Sequence, residues 1–324
     1  MKSNTAKSNL SSYVYAVCSV ALACILMAGI LSAQSPQSKP ASAPATPPMT
    51  FATPEAAADA LIAAAETFDE AAIEKIFGSE GKSLMITAEP ARDRETARKF
   101  VELAHEKKSV SKDPKNKNQA HMILGNEDWP FAIPIVKKSG KWFFDSAAGR
   151  EELLYRRIGT NELNAIDICQ GYVEAQGEYA LQKHDGSSVN QYAQRIISSP
   201  GKQDGLAWKN EDGTWGGPIG ENVANGVALG YTKDQPYHGY FYKILKGQGP
   251  AAPLGEMDYV VKGVMIGGFA LVAAPAEYQV TGVKTFMVSN DGVVYEKDLG
   301  PNTLEEFKKM ERFNPDKTWS PVKE

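Results

Sequence analysis

REELLYRRIGTNELNAIDICQGYVEAQGEYALQK, residues Arg150–Lys183, is the stretch that decides the architecture. Ala165, Ile168, Cys169, Tyr172, Val173, Gln176, Tyr179 and Ala180 fall on one broad face at helical spacing, which predicts a long helix with a core-facing stripe. Gly159 predicts a break or bend, with Asn161 capping the restart. The helix serves as a connector: an α+β domain precedes it, and it forms the spine of a second domain after it. Cys169 reads as a small buried hydrophobe rather than a nucleophile.

Upstream, residues 51–147 read as three helices followed by strands. Thr53-Pro54 starts the first helix and Asp69 the second, which Gly78 stops. A third is expected over Asp93–Lys108. His121–Leu124 and Trp129–Val136 read as strands, the latter alternating Trp129, Phe131, Ile133 and Ile135 toward one face. Pro130 and Pro134 mark it as an edge or bulged strand. Ser139-Gly140 then turns into Lys141–Asp145. Helices followed by an antiparallel meander resemble the cone-shaped NTF2-like fold, which implies a sheet wrapped around helices with room for a pocket.

Downstream, residues 148–324 continue as α+β. Val189–Ser198 reads as a short helix, with Tyr192, Ile196 and Ile197 apolar. Residues 200–239 are rich in Gly, Trp, Pro and Asn and form a long irregular excursion. Trp208, Trp215, Tyr231, Tyr237 and His238 are its candidate binding residues, set against the plainer reading that these rings pin the loop to a sheet. Strands follow at Tyr240–Ile244, Tyr259–Val261, Met265–Ala274, Val283–Val288 and Val293–Glu296, the last two a hairpin across Asn290-Asp291-Gly292. Thr303-Leu304-Glu305-Glu306 opens a short terminal helix.

At the N-terminus, residues 1–33 read as a signal peptide. Lys2 and Lys7 precede the apolar run Val14–Leu31, and Leu31-Ser32-Ala33 offers a cleavage site. The run is just long enough to span a bilayer, so an uncleaved anchor is the alternative to a periplasmic or secreted protein. Residues 34–50, QSPQSKPASAPATPPMT, form a Pro/Ala/Ser linker. Cys18 and Cys24 fall in the signal, leaving Cys169 alone in the mature chain.

Composition and motifs exclude more than they assign. The 324-residue chain has a formal net charge of -4, and the first 33 residues carry only basic groups, so the body is more acidic still. That disfavours nucleic acid or an anionic membrane surface as partner. The basic run KDPKNK (Lys112–Lys117) reads as a solvated loop. There is no G-x-S-x-G elbow, phosphate loop or HExxH motif. His105, His121, His184 and His238 lack ligand spacing, so no metal and no cofactor is expected. Asp204, Glu211 and Asp212 read as solvated loop carboxylates, and no catalytic residue is assigned.

Two resemblances add to this reading. The segments WPFAIPIVKKSGKWFFDSAAGREELLYRRIGTNELNAI, YAQRIISSPGKQDGLAW, PYHGYFYKIL and GPAAPLGEMDYVVKGVMIGGFALVAAPAEYQVTGVKTFMVSNDGVVYEKDLGP resemble a family of exported bacterial proteins, domain of unknown function 2950. The resemblance implies an envelope protein and supplies no activity. NELNAIDICQGYVEAQGEYA, with Asn161, Glu162, Ala165, Ile166, Gln176 and Tyr179, is similar to a pseudopilin helix. GYFYKIL and FALVAAPAEYQVTGVKTFMVSNDGVVYEKD, with Gly239, Tyr240, Ala274, Pro275, Gly282, Phe286, Asp291 and Gly292, are similar to the sheet of that fold. This second resemblance implies a helix packed on an antiparallel sheet. The apolar run lies far upstream of the helix and holds no Glu, which departs from a filament-forming pilin. The function expected is a non-catalytic binding or structural module of the cell envelope, with an envelope protein or a glycan as partner. The alternatives are a hydrolase-type enzyme or small-ligand binder using the cone pocket or the 200–239 loop, and a pilus or secretion accessory protein.

Overall fold

In the computed structural model, helix α1 (Pro54–Glu66) is capped by Thr53, whose hydroxyl accepts from Ala56 N at 3.1 Å. Asp69 caps α2 (Glu70–Met85) through Ala72 N. The structure describes residues 46–86, 90–220 and 235–323. The signal segment and Tyr231 therefore lie outside the described residues. Gly78 interrupts α2 with a φ of 73°, a left-handed value that glycine adopts at low cost. A Cβ there would also lie 2.6 Å from Thr46 O. The chain entering the body is strapped at this kink: Thr46 N donates to Ser79 Oγ, Ser79 N to Thr46 O, and Met49 N to Lys75 O.

Helix α3 (Pro90–Glu106) completes the helical layer. Strands β1 (Lys108–Lys112), β2 (Gln119–Leu124), β3 (Trp129–Pro130), β4 (Ile135–Lys138) and β5 (Lys141–Phe144) form an antiparallel sheet of order β1-β2-β4-β5, with β3 also on β2. Leu61, Ile73, Phe77, Met122, Ile135 and Phe144 fill the first core. The expected strand Trp129–Val136 is broken between β3 and β4, because two prolines remove ladder donors. Trp129 consequently stands in solvent rather than in the core. A cavity of about 90 Å³ remains between helices and sheet, bordered by Leu61, Phe68 and Phe100. That is far below the size of an ordinary ligand site.

Asp145 caps α4 (Ser146–Tyr179), accepting from Ala147 N and Ala148 N. The helix runs without interruption through Gly159, so of the expected break or bend the break does not occur. Asn161 does not cap a restart. Its Nδ2 donates to Thr281 O, while Glu162 Oε1 accepts from Val283 N and Lys284 N. These tertiary bonds anchor the helix where glycine propensity alone would weaken it.

The expected helix at Val189–Ser198 is absent. That segment is irregular and ends in β6 (Arg195–Ile197), which pairs in parallel with β7 (Gly205–Lys209). Strand β8 (Trp215–Gly216) pairs with β7. Strands β9 (Tyr240–Leu245), β10 (Ala270–Pro275), β11 (Lys284–Ser289), β12 (Tyr295–Asp298) and β13 (Ser320–Pro321) form an antiparallel sheet of order β13-β12-β11-β10-β9. Residues directly opposite share a face. Leu271, Ile244, Ala273 and Tyr242 thus lie on one face, and Val272, Lys243 and Met287 on the other. Helix α4 covers the first face through β10 and β11. The short helix α5 (Thr303–Lys309) covers the second, where Lys243 Nζ donates to Phe307 O at 2.7 Å. Strand β10 is consequently buried along its whole length. The chain is α+β, with the second core built on Ala165, Cys169, Tyr172 and Tyr179 of α4 against this sheet.

Candidate functional site

A cleft of about 360 Å³ opens beside α4, where the helix, the sheet and the irregular excursion meet. One wall is the α4 face Asn164, Asp167, Ile168 and Gly171. The floor is Tyr242 and Leu271 of the sheet, with Tyr172 beneath. Ile196 and Leu206 of the β6–β7 pair and Pro218-Ile219 close the opposite side. Tyr237 and His238 form the rim.

Local sequence explains each placement. Gly171 has no side chain, and a Cβ built there meets nothing within 4 Å, so the helix leaves open space at this point. Tyr237 N and Tyr240 O, and Tyr240 N and Tyr237 O, hydrogen bond at 2.9 and 3.1 Å. The two residues between them, His238 and Gly239, have φ of 48° and 75°. This is a tight two-residue hairpin with both central residues left-handed. It swings Tyr237 and His238 over the helix, where Asn164 Nδ2 and His238 Nδ1 lie 3.3 Å apart. The β6–β7 wall is fixed by Gln176, which is fully buried on α4. Its Nε2 donates to Ala193 O and Tyr172 Oη, and its Oε1 accepts from Ala193 N.

The lining is apolar with a narrow polar edge. Among the described lining residues Asp167 is the one formal charge, and none is Lys or Arg. Burial pushes the Cys169 thiol up to about 12 and raises the Tyr172 phenol further. Cys169 is therefore a protonated packing residue. Among the described residues no group of three or more His, Cys, Asp or Glu side chains is placed to hold a metal ion. No described helix is long and apolar enough to cross a membrane.

Of the five residues singled out from the sequence, Tyr237 and His238 border the cleft. Trp208 does not. Its ring lies over Gly216-Gly217, where a Cβ on Gly217 would meet it at 2.8 Å, and it sits 5.5 Å from His184. His184 in turn stacks on Tyr179 at 3.9 Å. Trp208 thus pins the excursion to the end of α4. Trp215 is half-buried on β8 and lies apart from the lining. Sequence reasoning missed the α4 wall, because the stripe around it reads as core. The signal was the interruption Asn164, Asp167, Gly171, polar or small residues at i, i+3 and i+7 on one face.

An α+β body with an apolar cleft between helix and sheet is the class these observations define. Residues 49–322 match the family described as "Protein of unknown function (DUF2950)", and the chain belongs to that family. No curated protein and no solved structure matches the chain.

Proposed function

We propose that the protein is an exported, non-catalytic binding module that takes a small, largely apolar ligand in the cleft beside α4. The observation that carries this reading is the open volume at Gly171, walled by Ile168, Ile196, Leu206 and Leu271 and edged by Asn164, Asp167 and His238. A volume of about 360 Å³ falls in the range of small-molecule sites, which are apolar with a few polar groups that orient the ligand. The carboxylate of Asp167, with no facing cation among the described residues, favours a neutral or cationic ligand over an anionic one. Export rests on Lys2, Lys7, the apolar run Val14–Leu31 and the small residues before Gln34. The packing of α4 across β10 and β11 supports a pseudopilin-like reading of the second half. Three helices against one sheet support an NTF2-like reading of the first.

The test is a plug. Gly171→Phe places a ring in the cleft without meeting a neighbour at its Cβ, whereas Gly177→Phe places the same ring on the exposed side of α4. Titration with the neutral apolar fluorophore N-phenyl-1-naphthylamine is expected to saturate with wild type and Gly177→Phe and to weaken roughly tenfold or more with Gly171→Phe. Equal binding by all three proteins, or no saturable binding by wild type, refutes the reading. Mass spectrometry of the exported protein checks the location, with a mature chain beginning at Gln34 expected.

A further inference from the structure

A second concavity, of about 520 Å³, lies between the N-terminal sheet and the first turns of α4. Strand β2 alternates strictly in burial: Ala120, Met122 and Leu124 enter the first core, while Gln119, His121 and Ile123 face outward. The outward row forms the groove floor together with Ser111 of β1, whose Cα partner in the ladder is His121. One wall is α4, presenting Glu151, Tyr155 and Arg156. Tyr155 is 63% exposed, so its ring is available to a ligand in the groove.

We propose that this groove is a saccharide-binding site for a neutral oligosaccharide. It is separate from the cleft beside Gly171 and does not depend on it. A sugar ring offers one face of C–H groups and a rim of hydroxyls that each donate and accept in the ring plane. The first needs an exposed aromatic ring, and the second needs flat side chains with paired donors and acceptors. The groove supplies both. Tyr155 gives the ring. The Gln119 amide, the His121 imidazole, the Glu151 carboxylate and the Arg156 guanidinium give planar polar groups. Three of them are held in place: Gln119 Nε2 lies 3.2 Å from His121 Nε2, and Arg156 Nε donates to Glu152 Oε1 at 2.8 Å.

Charge and backbone geometry select against the other occupants. Lys112 and Arg156 are balanced by Asp113, Glu151 and Glu152, so the groove carries no strong field of either sign to collect a polyanion or a polycation. An extended peptide binds best along an unpaired strand edge. The floor strand β2 has no such edge, because β1 pairs along one side and β3 and β4 along the other. Recognition at this floor runs through side chains alone.

Ligand-observed saturation-transfer NMR on the full chain tests the site, with chitotriose, cellotriose and maltotriose as neutral probes. Trigalacturonic acid and the fully deacetylated glucosamine trimer serve as anionic and cationic controls. At least one neutral trisaccharide is expected to bind at millimolar concentration. Tyr155→Ala and His121→Ala are each expected to weaken it roughly tenfold, as loss of an anchoring contact does. Both side chains are partly or largely solvent-facing, so circular dichroism of each variant should match wild type. Gly171→Phe should leave sugar binding unchanged, which separates failure of this site from failure of the cleft. Absence of binding by all three neutral probes, binding by a charged control alone, or undiminished binding by Tyr155→Ala would overturn the proposal.

Discussion

Replacing Gln176 by Leu tests whether α4 and the wall opposite it are one mechanical unit. Gln176 is 0% exposed, and its amide makes three hydrogen bonds: to Tyr172 Oη at 2.9 Å, to Ala193 O at 2.8 Å and from Ala193 N at 2.8 Å. Ala193 is itself fully buried, so water cannot replace the lost partner. Leucine is close in volume and leaves both main-chain groups of Ala193 unpaired. Each unsatisfied buried group costs about 1–3 kcal/mol. Burial of the leucine offsets about 1–2 kcal/mol of that sum. The middle of these ranges is a net loss of about 2.5 kcal/mol, or roughly 4–5 °C in Tm for a body of this size. Urea unfolding followed by circular dichroism gives the loss as a shift in midpoint at constant slope. Gln182→Leu, on the exposed end of the same region, is the control and should be near neutral. Because Ala193 leads into β6, Gln176→Leu should also weaken naphthylamine binding more than its stability loss alone would. A Gln176→Leu variant within about 0.5 kcal/mol of wild type would refute the argument that this amide holds the wall.

Two further outcomes follow from packing and burial. Gly159→Ala and Gly177→Ala, where a Cβ meets nothing within 4 Å, should each stabilise α4 by about 0.5–1 kcal/mol. Gly149→Ala, whose Cβ would lie 2.6 Å from Ile133 Cγ1, should destabilise by about 1–3 kcal/mol, and thermal melts of the three variants read the sign of each. At alkaline pH, burial holds Cys169, Tyr179 and Tyr259 protonated in the fold, each pushed up to about 12. In the unfolded chain these groups ionise at their ordinary values of 9.0 and 10.0, so their contribution is intact below pH 9 and is lost as pH climbs toward 12. Urea midpoints measured across that range should fall, with phenolate absorbance appearing together with unfolding. A flat midpoint up to pH 12 would contradict the burial.

The core of α4 was legible because a helix that packs on a sheet writes its contacts at a fixed spacing. Ala165, Cys169, Tyr172, Gln176 and Tyr179 carry that spacing and are all buried. Misreadings arose where a partner distant in sequence decides the local conformation. Gly159 predicts a break or a bend, and the break does not occur: Asn161 and Glu162 are tied to the chain at 281–284, and one glycine costs about 1 kcal/mol against those bonds. Tyr192, Ile196 and Ile197 were spaced for a helix. Instead Tyr192 N donates to Met265 O, Ala193 pairs with Gln176, and Arg195–Ile197 joins β7. All of that segment's backbone partners just named lie outside it.

The same logic separates the two candidate sites. Tyr237 and His238, which the structure places at the border of the cleft, stand out in the sequence because a rich loop advertises itself by composition. Asn164, Asp167 and Gly171 lie inside a helix whose remaining pattern reads as core, and they gain meaning only when the His238-Gly239 hairpin arrives above them. Gln119 and His121 lie on the outward half of an alternating strand, which by pattern alone is merely the solvated face. Helix α4 converts that face into a groove by running alongside it, and then supplies the wall of the cleft further along its length. A rigid helix shared by both concavities predicts that ligands at one leave the other's affinity unchanged. Coupling would require α4 to have two arrangements, and its unbroken course through Gly159 and its anchors at Asn161 and Glu162 argue for one.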